Sequence, residues 1–308
     1  MTNSPKSPPS LKATIIGQAA LVIWAMSASG AVALSALPAF EILSGIFVSG
    51  FIASSIMNTI RNNWQSAFSR PKYLLIAGIF GIVGNDIFYI LSFKYAPAVQ
   101  VDLIVCLWPM LVFILASLML DEKVKFNHMF ACLLAFYGVY ILLTSGENVD
   151  VFSRYYLFGY LCAFASAALW SVYIIISRKY AKNTPELFAI YCGVGSAFSI
   201  TMHLSFEATI MPSFAQGIIL IVMGITTHSL AYYGWDSAIK KGHFKLLNIL
   251  PYGNPVLSVL ALVFFGFAEL TEAVFVSTLM VFIAGIIGGA RFRKKTSENA
   301  TETVGTNF

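Results

Sequence analysis

The sequence predicts an all-α polytopic membrane protein, with ten transmembrane helices arranged as two inverted five-helix repeats around a central cavity. Three observations predict it. Of 308 residues, 58% are hydrophobic and 11% charged, with a mean hydropathy of +0.79; a soluble domain carries about 25% charged residues. Apolar runs near the ~20 residues that a bilayer requires recur along the whole chain, joined by short connections. Lysine and arginine alternate between these runs as a fixed membrane topology demands.

Residues 1–12 are polar, with Pro5, Pro8 and Pro9, and are expected to form a disordered tail. The first repeat, 13–145, holds apolar spans at 13–34, 38–60, 73–94, 98–120 and 127–144. The first of these is too long for a signal-peptide core and is expected to be retained. The second repeat, 153–291, holds spans at 156–178, 186–205, 214–238, 243–267 and 271–290. Pro38, Pro71, Pro97, Pro185 and Pro212 lie at or just before span starts, where proline is tolerated. The tail 294–308 is polar and expected to be disordered.

With both termini in the cytoplasm, the inside segments hold 17 lysines and arginines, and the outside segments only Lys94 and Arg154. That asymmetry also supports the count of spans, since dropping one would scramble the alternation. The net charge of +5 therefore reads as topology. The basic loops are too scattered for a nucleic-acid patch.

The two halves share a layout. Trp24 in span 1 corresponds to Trp170 in span 6, and Pro109 in span 4 to Pro255 in span 9. Span 3 ends in FKYA and span 8 in WDSA; Glu122 and Glu269 close spans 4 and 9. Five spans is an odd number, so the halves enter the membrane from opposite sides. Inverted repeats of this kind build secondary transporters whose substrate site lies near the midplane.

Within Gly78–Phe93, Asn85 and Asp86 interrupt an apolar span. A carboxyl group at mid-bilayer costs about 2.5–3.5 kcal/mol on translocon scales, so such groups face a cavity or a partner. On a helix Asp86 shares a face with Tyr89, Ile90 and Phe93. The repeat register carries Asp86 onto His228, which shares a face with Tyr232 and Trp235. An opposed Asp86–His228 pair would suit proton handling or a substrate amine, because a carboxylate raises the proton affinity of a nearby imidazole. The plainer alternative leaves each side chain bonded within its own half.

Trp24, Trp108 and Trp170 lie well inside their spans, and Tyr173 follows Trp170 on one face. They are candidate walls for a flat or amphipathic substrate, or packing aromatics. Pro109 and Pro255 are candidate hinges, and Tyr252 and Asn254 flank freed carbonyls that could meet an ammonium. Trp64 reads as an interface anchor in a loop. Asp102, Glu41 and Asp236 read as rim or capping groups near span ends, and His203 and His243 as terminal or loop residues. Cys106, Cys132, Cys162 and Cys192 sit in separate spans without ligand spacing, so free thiols and no metal are expected. There is no HExxH, GxSxG or Walker A motif, and no cofactor motif, so an enzyme is not expected.

Several stretches resemble a known family. They are KATIIGQAALVIW (12–24), the Leu107-Trp108-Pro109 triplet, LWSVYIIISRKYA (169–181), AYYGWD (231–236) and YGNPVLS (252–258). They are similar to the drug/metabolite transporter superfamily, EamA type, and within it to the YddG-type exporters of aromatic amino acids and related metabolites. The likeness covers nearly the whole chain. It implies ten helices, alternating access, export across a bacterial inner membrane, and Trp24, Tyr89, Trp108 and Trp170 at or near the cavity. The chain departs from the family where Asp86 stands for a glutamate, His228 for an apolar residue and Asp236 for an asparagine. The connection between spans 3 and 4 is also shorter. These changes bear on substrate rather than fold. Another metabolite, a cationic drug, import of a substrate such as S-adenosylmethionine or a nucleotide-linked compound, and a non-transporting scaffold all stay open. Glycine and alanine are spread through several spans without a clear dimer face, so oligomeric state is not legible.

Overall fold

The computed structural model describes residues 10–119, 126–144, 154–180, 185–241 and 253–289. Every regular element among them is helical. Residues 1–9 and 290–308, Glu122, and 242–252, with His243 and Tyr252 in the predicted ninth span, lie outside the described residues; Leu11 and Lys12, expected in a disordered tail, open the first helix instead.

The first apolar run forms α1 (Leu11–Ala25) and α2 (Ser27–Ala33), separated by a turn at Met26. Ser10 caps α1, its Oγ accepting from Ala13 N at 3.3 Å. Then come α3 (Ala39–Ile60), the short α4 (Trp64–Ser69) and α5 (Lys72–Gly78). A π-helical turn, Ile79–Val83, joins α5 to α6 (Gly84–Tyr95). Next are α7 (Ala98–Val105), α8 (Trp108–Met119), α9 (Phe126–Thr144) and α10 (Arg154–Tyr180). The chain continues through α11 (Phe188–Phe206) and α12 (Phe214–Ile225), the latter opened by a Ser213–Gln216 capping box. A second π turn, Thr226–Leu230, leads into α13 (Ala231–Lys241), followed by α14 (Asn254–Phe264) and α15 (Glu272–Gly289).

Among the described residues, six stretches are long and apolar enough to cross a membrane: Leu11–Ala33, Ala39–Ile60, Lys72–Tyr95, Tyr155–Ile176, Pro185–Phe206 and Phe214–Trp235. Shorter apolar helices lie at Ala98–Val112, Met129–Ile141, Asn254–Phe264 and Glu272–Ile287. Their outer faces carry exposed Ile60, Phe80, Leu118, Leu204 and Phe264. Water would not tolerate apolar surface on that scale, and acyl chains do. The protein is an all-helical, multi-pass membrane protein.

Helices pack in antiparallel partnerships, chiefly α3 with α11, α9 with α15, α6 with α10 and α1 with α13. Small residues allow the closest approaches. A Cβ on Gly224 would lie 2.3 Å from Ile46 O, so α12 touches the α3 backbone. Where α3 ends and α11 begins, buried Glu186 accepts from Arg70 Nε (2.9 Å) and Ser66 Oγ (3.1 Å), and Asn58 Nδ2 donates to Glu186 O at 2.8 Å. Tyr233 of α13 donates to Asn58 Oδ1, and Arg61 lies 4.8 Å over the Tyr233 ring. At the other end of α3, Glu207 accepts from Phe40 N and Glu41 N, satisfying orphan donors of the helix start. Glu41 itself caps Ile210 N at 3.0 Å, and His203 Nδ1 stands 3.0 Å from Glu207 Oε2. Trp64 is not in a loop but opens α4, stacking on Phe68 and donating to Thr59 Oγ1 at 3.0 Å.

Candidate functional site

Asp86 enters α6 one turn after the first π turn, and His228 occupies the middle of the second. A π turn fits an extra residue into the helix, which re-aims the side chains around it. His228 Nε2 lies 2.7 Å from Asp86 Oδ2, and the two side chains are 11% and 18% exposed. Asn85 Nδ2 donates to Asp86 Oδ1 at 3.0 Å, and Asn85 Oδ1 accepts from Ser166 Oγ at 2.8 Å. Both oxygens of Asp86 are thus engaged. Gly50 of α3 lets His228 in, since a Cβ there would meet His228 Cβ at 2.9 Å. The edge of the Phe47 ring closes over the imidazole.

Thr227 bridges the helix backbone and the imidazole. Its Oγ1 lies 2.5 Å from Met223 O and 2.6 Å from His228 Nδ1. A hydroxyl has one hydrogen to give. When it goes to Met223 O, Nδ1–H donates to Thr227, and a further proton is shared between Nε2 and Asp86. When it goes to Nδ1, Nε2–H donates to Asp86 and the pair holds one proton fewer.

A connected aromatic wall adjoins the pair. Tyr232 stacks on Phe188 (centroids 3.6 Å), meets Trp24 edge-on at 5.1 Å and lies 6.3 Å from Trp170. Trp170 lies 5.6 Å from Tyr173, which meets Tyr191 at 6.4 Å. Trp24 also packs on Trp235 at 5.9 Å and donates through Nε1 to Thr227 O at 3.3 Å, tying the wall to the π turn. Tyr191 donates to Leu74 O at 3.0 Å. Trp24 comes from α1, Trp170 and Tyr173 from α10, and Tyr232 from α13, so the wall is assembled from distant parts of the chain.

The structure thus joins Asn85, Asp86 and His228 into one cluster, and Trp24, Trp170, Tyr173 and Tyr232 into another beside it. Tyr89 packs on Phe93 at 4.9 Å and shares the electrostatic surroundings of both Asp86 and Asp102. Trp108 opens α8, its carbonyl 3.0 Å from Ser171 Oγ of α10. Pro109 and Pro255 are each the second residue of a helix, so the breaks lie just before them. Asn254 opens α14, one turn before Ser258. Tyr252 lies outside the described residues. Asp102 is not a rim group: it is 4% exposed, and its Oδ1 accepts from Ser258 Oγ at 2.8 Å. Thr227, Phe188, Tyr191 and Ser166 had no distinguishing sequence signal. Among the described residues no three His, Cys, Asp or Glu side chains converge to hold a metal ion.

The family described as the EamA-like transporter family matches residues 11–144. An aromatic amino acid exporter, YddG, of Ancylobacter novellus is 32% identical over 90% of this chain and 95% of its own length. The exporter of the same name from Escherichia coli is 26% identical over 80% of this chain and 86% of its own. A solved crystal structure superposes with a TM-score of 0.71 at 30% identity, covering 90% of this chain and 95% of the other. A likeness of that extent along nearly the whole chain, on top of the family match, makes this protein a YddG-like member of the EamA-like transporter family.

Proposed function

We propose that the protein exports small metabolites, aromatic amino acids foremost, across the bacterial inner membrane by alternating access. The observation that carries this reading is a buried acid–imidazole pair set beside an aromatic wall. An aromatic amino acid offers matching chemistry: a ring to stack on Trp24, Trp170 and Tyr232, and an ammonium to meet Asp86. The bacterial exporters that resemble the chain carry the same activity in their names.

In this mechanism ten helices form two inverted halves, 13–145 and 153–291, with both termini in the cytoplasm. The family match over 11–144 supports the first boundary, and the lysine and arginine asymmetry supports the orientation. The halves rock about the site, and the helix breaks before Pro109 and Pro255 absorb the bending. Asp86 and His228 exchange a proton or the substrate ammonium, while lipid covers the outer faces. The site needs no cofactor for this.

Reconstituted liposomes test the proposal. Wild-type protein is expected to move labelled tryptophan, and Asp86→Asn to slow it at least tenfold with an altered pH dependence. Transport by Asp86→Asn at the wild-type rate and pH dependence would remove Asp86 from the mechanism. The same acid and aromatics also suit an aromatic cation, and competition between such a cation and tryptophan separates the two substrates.

A further inference from the structure

We propose that Asp102, with Ser258, is a second proton site, separate from the Asp86–His228 pair, and that it carries the proton exchanged for substrate. The proposal rests on the export reading above for its direction and substrate.

The two buried acids differ in one respect. Asp86 has a partner on each oxygen and an imidazole beside it. Asp102 is more deeply buried, at 4% exposure, yet only its Oδ1 is bonded, to Ser258 Oγ at 2.8 Å. Its Oδ2 is buried with no partner among the described residues. Asn254 Oδ1, one turn before Ser258, is also buried and without a partner among the described residues. A lone carboxylate in an apolar interior is costly unless it is neutralised. A proton on Oδ2 neutralises it with the least rearrangement. A sodium ion demands several more oxygens than Asp102, Ser258 and Asn254 provide.

Among the described residues the surroundings leave the acid without a resident counter-ion. Tyr89 of α6 and Cys106 on its own helix share its electrostatic surroundings. Of the helices packed against α7, α14 presents the Ser258 hydroxyl to Asp102, α10 carries the half-buried phenols Tyr156 and Tyr160, and the Cys132 thiol of α9 turns to Met110 O of α8 instead. Lys94, at the far end of α6, bonds the carbonyls of Ser35 (3.2 Å) and Leu37 (2.5 Å).

Asp102 and Ser258 also sit on short helices beside breaks. α7 has 8 residues and ends in a turn at Cys106, and α14 has 11 and begins at Asn254. The hydrogen bond joins the two proposed halves across 156 residues. Rocking of the halves separates Asp102 from Ser258 and hydrates the carboxyl. With the termini cytoplasmic, Asp102 lies toward the outer end of its span. There the carboxylate takes up a proton from outside, and it releases the same proton inward in the opposite state. One proton enters for each zwitterionic substrate that leaves.

Two measurements on the full-length protein test this. Purified protein is treated with dicyclohexylcarbodiimide, which modifies protonated carboxyls in apolar surroundings, and the adducts are mapped by mass spectrometry. Asp102 is expected to be modified at neutral pH and less so as pH rises; an unmodified Asp102 overturns the proposal whatever the substrate. In liposomes, an imposed pH gradient is expected to drive accumulation of labelled tryptophan. Asp102→Asn should abolish that accumulation. Ser258→Ala removes a donor to the charged form, so the pH midpoint of transport should rise by about one unit, the equivalent of one hydrogen bond to a charged group. Gradient-driven accumulation by Asp102→Asn, an unmoved midpoint in Ser258→Ala, or a sodium gradient serving in place of protons each overturns it. If wild-type protein exchanges no tryptophan, the substrate reading fails, and the carbodiimide result still decides the proton site.

Discussion

His228 Nε2 stands 2.7 Å from Asp86 Oδ2 although 142 residues separate them, and with side chains 11% and 18% exposed both are largely withdrawn from water. Removing one member strands the other. Asp86→Ala is expected to destabilise by about 3 kcal/mol, as for other broken buried pairs. Asp86→Asn should cost less, because the amide can still bond Nε2. A double-mutant cycle on Asp86→Asn and His228→Gln, read by thermal unfolding in detergent, should show a coupling of about 1–3 kcal/mol. Additive single effects would mean that the pair is not energetically joined.

Two glycines in α12 should respond oppositely to the same change. A Cβ on Gly224 would lie 2.3 Å from Ile46 O, a backbone atom that cannot step aside. Gly224→Ala is therefore expected to destabilise by about 1–3 kcal/mol through overpacking. Gly217 has nothing within 4 Å of the same added atom. Gly217→Ala should be neutral or stabilise by up to about 1 kcal/mol, the helix-propensity difference. Melting temperatures of the two variants measure the contrast directly.

The contrast between Asp86 and Asp102 shows what hydropathy can and cannot reveal. An acid in mid-span advertises itself, since its burial cost must be met, and the repeat register pointed from Asp86 to His228. Asp102 stands near a span end, where sequence cannot distinguish a solvated rim from a crevice closed by α14. Glu41 and His203 illustrate the same limit: their positions near helix ends were legible, but their burial against Glu207 depends on how α3 meets α11. The π turns were invisible because one extra residue per turn leaves composition and period nearly unchanged. Trp24, Trp170, Tyr173 and Tyr232 stood out as aromatics inside spans, whereas Phe188 resembled any other phenylalanine in a lipid-facing chain.

Trp170 should govern aromatic substrates more than aliphatic ones. Its ring lies between Tyr173 (5.6 Å) and Tyr232 (6.3 Å), so it is a central panel of the wall. Aromatic contacts contribute about 0.5–1.5 kcal/mol beyond burial. Trp170→Leu is expected to raise the apparent KM for tryptophan about tenfold and that for an aliphatic amino acid much less. Equal losses for both would assign Trp170 to packing. Trp24→Phe tests a different feature, the Nε1–H donated to Thr227 O at 3.3 Å. It should lower stability by about 1 kcal/mol, the net worth of one hydrogen bond.

Arg70 and Glu186 close the end of the molecule where α3 gives way to α4 and α11 begins. Glu186 accepts from Arg70 and Ser66 through one oxygen while Asn58 holds its carbonyl. The glutamate side chain is 7% exposed and the arginine 32%. Among the described residues, Arg70→Ala therefore leaves a buried carboxylate with the Ser66 hydroxyl as its remaining side-chain donor. The expected cost is about 2 kcal/mol, below that of a fully buried pair because Arg70 is partly solvated. Glu186→Gln should cost less, since the amide oxygen still accepts from both donors. In the proposed alternating-access mechanism this end opens when the proposed halves separate, and the contact between α4 and the turn Pro185–Leu187 ahead of α11 must break. Arg70→Ala should then also populate the state open at that end. A cysteine placed at Ala67, which is fully buried beside this contact, should react faster with a membrane-impermeant maleimide in the Arg70→Ala background. Unchanged labelling, with stability lowered as expected, would make the pair a static brace rather than part of a gate.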